Sequence, residues 1–380
     1  MRLYSRRLES PLQAWMKRLR MESRELDVVR HVLTGGSVVD WRRLDFNSRE
    51  DVDAHLRLNK LDWHDPRDAR YMKSVLAEAV HFLESALDRK LCDEVAQAED
   101  VRDVFLLARK ESTRRVRMDA CFALKVMNIV NHVNGRELLF RVPISERDLT
   151  FMAHQEVSRV VDRMREEGFP IMDFEGGEKS RESLILKLLA KRETLAAQVY
   201  DKIRFRVTVE DTDDIVGVIL YCTRHLFPFN YIIPGQSQNE IVTVPSEIEE
   251  PSIPGATPRG GPASDHERPL NEFSGPTYRH LDFVIDLPLR LDQFVNVSAD
   301  PELEKLGHVV FAMVEFQVID RETAQANESG DNNHEAYKQR QRERVLRRLE
   351  RPHNSPLELA RIPETTDTFR AILTKDGEDE

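Results

Sequence analysis

A mixed-sheet α/β (α+β) domain flanked by helices, with an all-helical stretch in front of it, is the fold class this sequence predicts. Three observations point there. Residues 1–150 carry apolar side chains at spacings of three and four, with no strand-like alternation. Residues 151–345 interleave such helical patterns with period-two segments, as strands between helices do. A proline- and glycine-rich run over 234–277 interrupts this second part and reads as an insertion, while 346–380 reads as a polar tail.

The elements follow in order. Tyr71–Leu87 (YMKSVLAEAVHFLESAL) and Ala120–Val133 (ACFALKVMNIVNHV) each place one apolar stripe on a helix. Asn47-Ser48 and Asp65-Pro66 have the residue types of helix starts, because a short polar side chain accepts from the free first-turn N–H groups and proline has none to lose. Glu146–Gly168 is a third amphipathic helix, with Ser145 as its cap and Gly168 and Pro170 as its stop. A helix over Ser180–Ala197 follows. Asp201–Val209 (DKIRFRVTV) then alternates strictly: Ile203, Phe205, Val207 and Val209 share one face, and Lys202, Arg204, Arg206 and Thr208 the other. Thr212-Asp213-Asp214 caps a helix whose Ile215, Val218, Ile219 and Cys222 recur at helical intervals. Strand patterns return at Arg279–Leu287 and His308–Ile319. A charged helix, KQRQRERVLRRLER, begins after Tyr337.

Bulk composition narrows the function. The 380 residues suffice for two domains, and the formal net charge of −11 argues against wholesale nucleic-acid binding. No run approaches the ~20 apolar residues of a membrane span, and no signal peptide develops after MRLYSRRLES. Cys92, Cys121 and Cys222 lie far apart in apolar surroundings, which fits neither a disulfide framework nor a zinc site and suits a reducing cytoplasm.

The chemistry-bearing candidates cluster in the second part. Glu315 sits in an otherwise apolar strand, on the same face as Gln317, and a carboxylate buried there needs a cation. That cation is either a metal ion shared with Asp201, which opens the first strand, or the guanidinium of Arg204 or Arg206. Asp282 and Asp286 share a face with His280; they are further ligands or, preferably, the wet side of their strand.

These residues in this order resemble the RelA/SpoT-type alarmone synthetases. Glu178-Lys179-Ser180-Arg181-Glu182-Ser183, a helix, and Asp201-Lys202-Ile203-Arg204-Phe205-Arg206 resemble that family's lysine–serine motif and D-x-x-G-x-R strand. Val314-Glu315-Phe316-Gln317-Val318 is similar to its V-E-x-Q-[IV] strand. Glu328-x-Gly330 followed by His334-Glu335-Ala336-Tyr337-Lys338 is similar to its closing segment, and Tyr278-Arg279 stands where it has a tyrosine. The resemblance implies a nucleotidyltransferase-like fold that moves pyrophosphate from ATP to the 3′-hydroxyl of a guanosine nucleotide, or in some relatives to tRNA. It implies that Asp201 and Glu315 bind Mg²⁺, with Glu315 helping to activate the acceptor hydroxyl. Lys179, Ser180 and Arg206 would contact donor phosphates, Tyr278 would stack on guanine, and His334 and Lys338 would support acceptor phosphates, with Gln317 beside them. Each also has a bland reading: helix start for Lys179-Ser180, turn aromatic for Tyr278, solvated helix face for His334 and Tyr337-Lys338, structural pairing for Arg206.

The departures matter equally. Gly177 replaces an expected arginine, Arg204 replaces the small residue of D-x-x-G-x-R, His280 and Asp282 replace serine and histidine, and Ile319-Asp320 replace an arginine–threonine pair. Losing such cations weakens donor binding by several kcal/mol, since each charged hydrogen bond contributes roughly 1.5–3 kcal/mol. The sequence therefore carries three expectations: a divergent transferase, a nucleotide-binding regulatory module that kept the fold and lost turnover, or a scaffold whose helical half is a protein-interaction domain. Arg342–Arg351 is either a phosphate-holding stretch for RNA or a solvated helix with i,i+4 pairs, the latter preferred. His64-Asp65 invites comparison with histidine–aspartate hydrolases, but His31, His55 and His81 complete no such motif, so a capping role for Asp65 is expected.

Overall fold

The computed structural model describes residues 11–18, 21, 23–34, 46–109, 111–178, 180–190, 203–243, 277–332 and 334–350. The expected Asp201 and Lys179, the proline-rich stretch 244–276 and the tail beyond 350 lie outside the described residues. The amino-terminal part is helical: α1 (Pro11–Arg18), α2 (Ser23–Thr34), α3 (Arg49–Leu58), α4 (Pro66–Leu87), α5 (Asp93–Ala96), α6 (Val101–Leu107) and α7 (Arg114–Arg141). Ser48 caps α3 by accepting from the Asp51 N–H, and Asp65 caps α4 by accepting from the Arg67 N–H, with Pro66 in the first turn. Asp65 thus has the capping role, and His64 stands 3.5 Å from Asp53. The next helix, α8 (Glu146–Glu166), opens with a reciprocal capping box between Ser145 and Asp148 and gives way at Gly168, whose φ of +85° suits glycine.

The second part builds a five-stranded mixed sheet from β1 (Ile171–Glu178), β2 (Ile203–Val209), β3 (Gln238–Asn239), β4 (Leu281–Arg290) and β5 (Val309–Asp320), in the order β1-β2-β5-β4-β3. Helix α9 (Arg181–Ala190) follows β1, α10 (Thr212–His225) follows β2, α11 (Pro301–Glu304) precedes β5, and α12 (Arg321–Asn327) and α13 (His334–Leu349) follow it. β2 and β5 run parallel, and the other neighbours are antiparallel. The β1 strand was not legible in IMDFEGGE, where two glycines break the alternation and only the hydrogen-bonding partner β2 makes the segment extended. Helix α12 and the short β3 were likewise unannounced.

The register sorts the strand residues into two faces. On one, Phe205, Val207, Phe283, Ile285, Val314, Phe316 and Val318 pack with α8 and α10 into the larger core, where Phe283 and Phe316 stack at 5.5 Å and Phe174 and Phe205 at 5.9 Å. Each fully buried side chain of this kind contributes roughly 1.5–3 kcal/mol. Val29, Val32 and Leu33 of α2 belong to this core although they lie early in the chain. On the other face, Val309 and Phe311 join a second core with α3, α4, α6 and α7. His132 of α7 stacks on Phe311 with ring centres 4.1 Å apart. That helix lies against the start of β5, and the far end of the same face carries polar side chains.

Candidate functional site

Strict alternation in β2 sends Arg204 and Arg206 to the polar face, and the parallel register sets Arg204 against Glu315 and Arg206 against Gln317 of β5. Arg204 donates from Nε to Glu315 Oε2 at 2.8 Å, and Arg206 donates from Nε to Gln317 Oε1 at 2.7 Å. Glu315 has no exposed surface, whereas the Arg204 side chain is 33% exposed. The open choice between a metal ion and an arginine thus meets an arginine at Glu315. Gln317 continues outward, donating from Nε2 to the Tyr278 hydroxyl at 3.4 Å, and Glu175 of β1 lies 3.8 Å from Arg206.

On the neighbouring strand, β4, Asp282 pairs with Gln317 in register and Asp286 with Met313. Neither is on a wet side: Asp282 and Asp286 are buried, because this sheet is covered on both faces along β4. His280 lies 3.4 Å from both Glu240 and Asp282, and Asp286 meets His132 of α7 at 2.7 Å. The His132–Asp286 contact joins residues remote in sequence, and nothing in either segment signals it. Tyr278, with its ring centre 5.3 Å from that of His280, completes this end of the face.

A second polar group forms where α9 meets α13. Ser180 caps α9 by accepting from the Ser183 N–H at 3.2 Å, and it donates its hydroxyl to Ser183 Oγ at 3.0 Å. Lys338 Nζ donates to the same Ser183 hydroxyl at 3.1 Å. Since Gly177 and Glu178 pair with Arg204 and Ile203, Ser180 starts its helix at the Arg204 end of β2. Four expected site residues, Arg206, Tyr278, Glu315 and Gln317, thus share one face, and Ser180 and Lys338 meet beside Ser183. His334 opens α13, but its side chain, like all of Lys179 and Asp201, lies outside what is described. The basic stretch within α13 carries helical ion pairs, including Arg347–Glu343 at 3.5 Å.

The donor set bears on the expected magnesium. Mg²⁺ takes oxygen ligands, usually one or two carboxylates plus substrate oxygens. Among the described residues no group of three or more His, Cys, Asp or Glu is arranged to hold a metal ion, and the Glu315 carboxylate already faces a guanidinium. Asp201, the other expected ligand of that ion, lies outside the described residues.

Solved alarmone synthetases resemble this chain. Small alarmone synthetase 1 from Bacillus subtilis is 14% identical over 60% of this chain and 93% of its own, with a TM-score of 0.30. Small alarmone synthetase 2 from the same organism is 16% identical over 56% and 95%, with a TM-score of 0.29. A GTP pyrophosphokinase family protein from Streptococcus pneumoniae is 14% identical over 54% and 88%, with a TM-score of 0.29. No family model and no curated protein matches the chain. Overlaps this loose assign no activity, so the functional reading rests on the residues. Among the described residues, no helix is long and apolar enough to cross a membrane.

Proposed function

We propose that the polar face of the sheet binds a guanosine nucleotide and that the chain is a regulatory nucleotide-binding module whose acidic centre is held silent by Arg204. The observation that carries this is the fully buried Glu315 carboxylate bonded to Arg204 Nε at 2.8 Å. In this geometry Glu315 Oε2 is directed at a guanidinium rather than at an acceptor hydroxyl, whereas general-base work needs the carboxylate within hydrogen-bond reach of the proton it takes. Binding needs less. Arg206 and Lys338 offer cationic donors for phosphate oxygens, the Tyr278 ring offers a stacking surface for a base, and Gln317 offers an amide for its edge.

A second reading is favoured by the order of the motifs, which brings Arg206, Tyr278, Glu315 and Gln317 to one face. It makes the chain a divergent transferase moving pyrophosphate from ATP to GDP, GTP or tRNA, with Mg²⁺ shared by Asp201 and Glu315. This reading requires Glu315 to exchange its arginine for the ion.

One pair of measurements separates the two. Calorimetry with GDP, GTP and guanosine tetraphosphate is expected to give micromolar binding, weakened tenfold or more by Arg206→Ala, in line with a charged hydrogen bond of roughly 1.5–3 kcal/mol. Incubation with labelled ATP, Mg²⁺ and GDP, GTP or tRNA is expected to give no product. Product formation that Asp201→Ala abolishes replaces the module reading with the transferase. Silence in both assays removes the nucleotide from either.

A further inference from the structure

Helix α7 buries one apolar face and leaves a second in the open. Ala120, Ala123, Leu124, Met127 and Val130 are buried in the second core, toward α4, α6 and β5. On the opposite side Met118, Phe122, Ile129, Val133 and Phe140 are exposed, Val133 by 57% and Phe140 by 83%. At ~100° per residue these five fall within an arc of about 60°, and at ~1.5 Å per residue they extend for about 33 Å. A surface helix ordinarily turns polar and charged residues outward. An apolar stripe along the middle of the solvent side therefore marks a contact surface.

The same helix is basic in a chain that is acidic. The whole sequence has 67 acids and 56 bases, whereas α7 carries Arg114, Arg115, Arg117, Lys125, Arg136 and Arg141 against Asp119 and Glu137. Both acids are already met. Asp119 is buried with Arg89 at 2.8 Å and Arg115 at 3.9 Å, and Glu137 stands 3.3 Å from Arg141. Arg114, Lys125 and Arg136 lie on or beside the apolar arc. Aromatic and aliphatic side chains with lysine and arginine around them are the composition of a helix that lies in a bilayer interface, where the apolar groups meet acyl chains and the long cationic stems reach the headgroups.

We infer that the outer face of α7 docks the protein on an anionic lipid surface, with Met118, Phe122, Ile129, Val133 and Phe140 entering the headgroup boundary and Arg114, Lys125 and Arg136 meeting the anionic headgroups. A second copy of the chain fits this face less well. A strip about 33 Å long and ~10 Å wide offers on the order of 300 Å² per copy, far short of the ~800 Å² per partner of a standard interface. A two-fold pair also sets like cations against each other, because each copy presents the same patch. The net charge of −11 does not prevent the contact, since exposed charges more than ~10 Å away are largely screened at ~0.1 M salt. The inference is independent of the nucleotide reading, which concerns the sheet.

Co-sedimentation of the full chain with vesicles tests it. One set holds phosphatidylcholine with about 30% phosphatidylserine and the other phosphatidylcholine alone, both in about 0.1 M salt. Partitioning is expected to be at least tenfold stronger onto the anionic set, and to fall about fivefold or more when the salt is raised to about 0.5 M. Phe140→Ser, at the most exposed position of the stripe, is expected to weaken binding about tenfold. Lys125→Glu combined with Arg136→Glu is expected to weaken it at least as far. Thermal unfolding of the variants verifies that they keep the wild-type fold. Equal binding to both vesicle sets, sedimentation with neither, or wild-type binding by Phe140→Ser would each overturn the inference. So would a dimer in sedimentation equilibrium that Phe140→Ser dissociates, because the face would then belong to a second copy.

Discussion

Glu315 and Arg204 form a pair in which the burial is unequal. The carboxylate is sealed in the sheet and the arginine side chain remains 33% exposed, so the arginine tolerates separation far better than the acid does. Removing the cation takes a guanidinium partner from a buried charge, and such losses run to about 3–5 kcal/mol. Arg204→Ala is therefore expected to destabilise the chain by about 3 kcal/mol in urea unfolding, the low end because water reaches the vacated position. Adding Glu315→Gln to that variant is expected to restore part of the loss; no restoration would show that the two side chains are not coupled. The need for a cation at Glu315 was legible from an acid in an apolar strand. Which cation was not, because it depends on a one-residue register between β2 and β5 that neither strand encodes alone.

At the scale of elements, α7 approaches β5 closely through one glycine. A Cβ on Gly135 would stand 2.5 Å from the Phe311 ring and 2.8 Å from the Val309 carbonyl oxygen, and the latter is backbone that does not rotate away. Gly135→Ala gains about 1 kcal/mol of helix propensity but meets about 1–3 kcal/mol of overpacking, so a net loss of up to about 2 kcal/mol is expected. Gly177→Ala, whose Cβ meets nothing within 4 Å, is expected to change stability little, a thermal scan of both variants being the measurement that checks this. The start of α4 supplies a pH dependence. The Arg67 hydrogen bond holds Asp65 at about 2, below the ordinary carboxylate value near ~4. A depressed carboxylate gives stability that is present above its unfolded value and is lost as pH falls through its folded one. Asp65→Asn keeps the cap but not the charge. The gap between wild type and this variant is expected to be constant above about pH 5, to shrink as pH falls through the folded value and to close near about pH 1; a gap still at full size at about pH 2 contradicts the assignment. Caps such as Ser48, Asp65 and Ser145 were readable because they act on their own next three residues.

For the molecule as a whole, the helical part and the sheet are joined at the end of β4. Arg290 donates to Asp68 of α4 at 2.6 Å, to the Lys60 carbonyl at 2.9 Å and to Asp292 at 2.5 Å. Burial works against its charge, yet the bonds to Asp68 and Asp292 raise its pKa above the ordinary value. Asp68 is only 1% exposed, so Arg290→Ala strands it and is expected to cost about 3–5 kcal/mol. Hydrogen exchange is expected to quicken in α3 and α4 more than in β2. Uniform quickening would mean that this junction does not hold the two parts together. None of this was visible beforehand, since the Arg290–Asp68 bond joins residues 222 positions apart in the chain.

The sequence by itself determined the helical character of the first part, the strands at β2, β4 and β5, the caps, and the short set of residues in which chemistry could reside. Those features depend on periodicity and on contacts within a few residues, so they are written locally. Tertiary structure decided the rest: that β1 is a strand, that Asp282 and Asp286 are buried against imidazoles, that Arg204 holds Glu315, and that α7 turns a second apolar stripe outward. Each of these is set by pairings between segments far apart in the chain, where register and approach distance, rather than residue type, fix which groups meet.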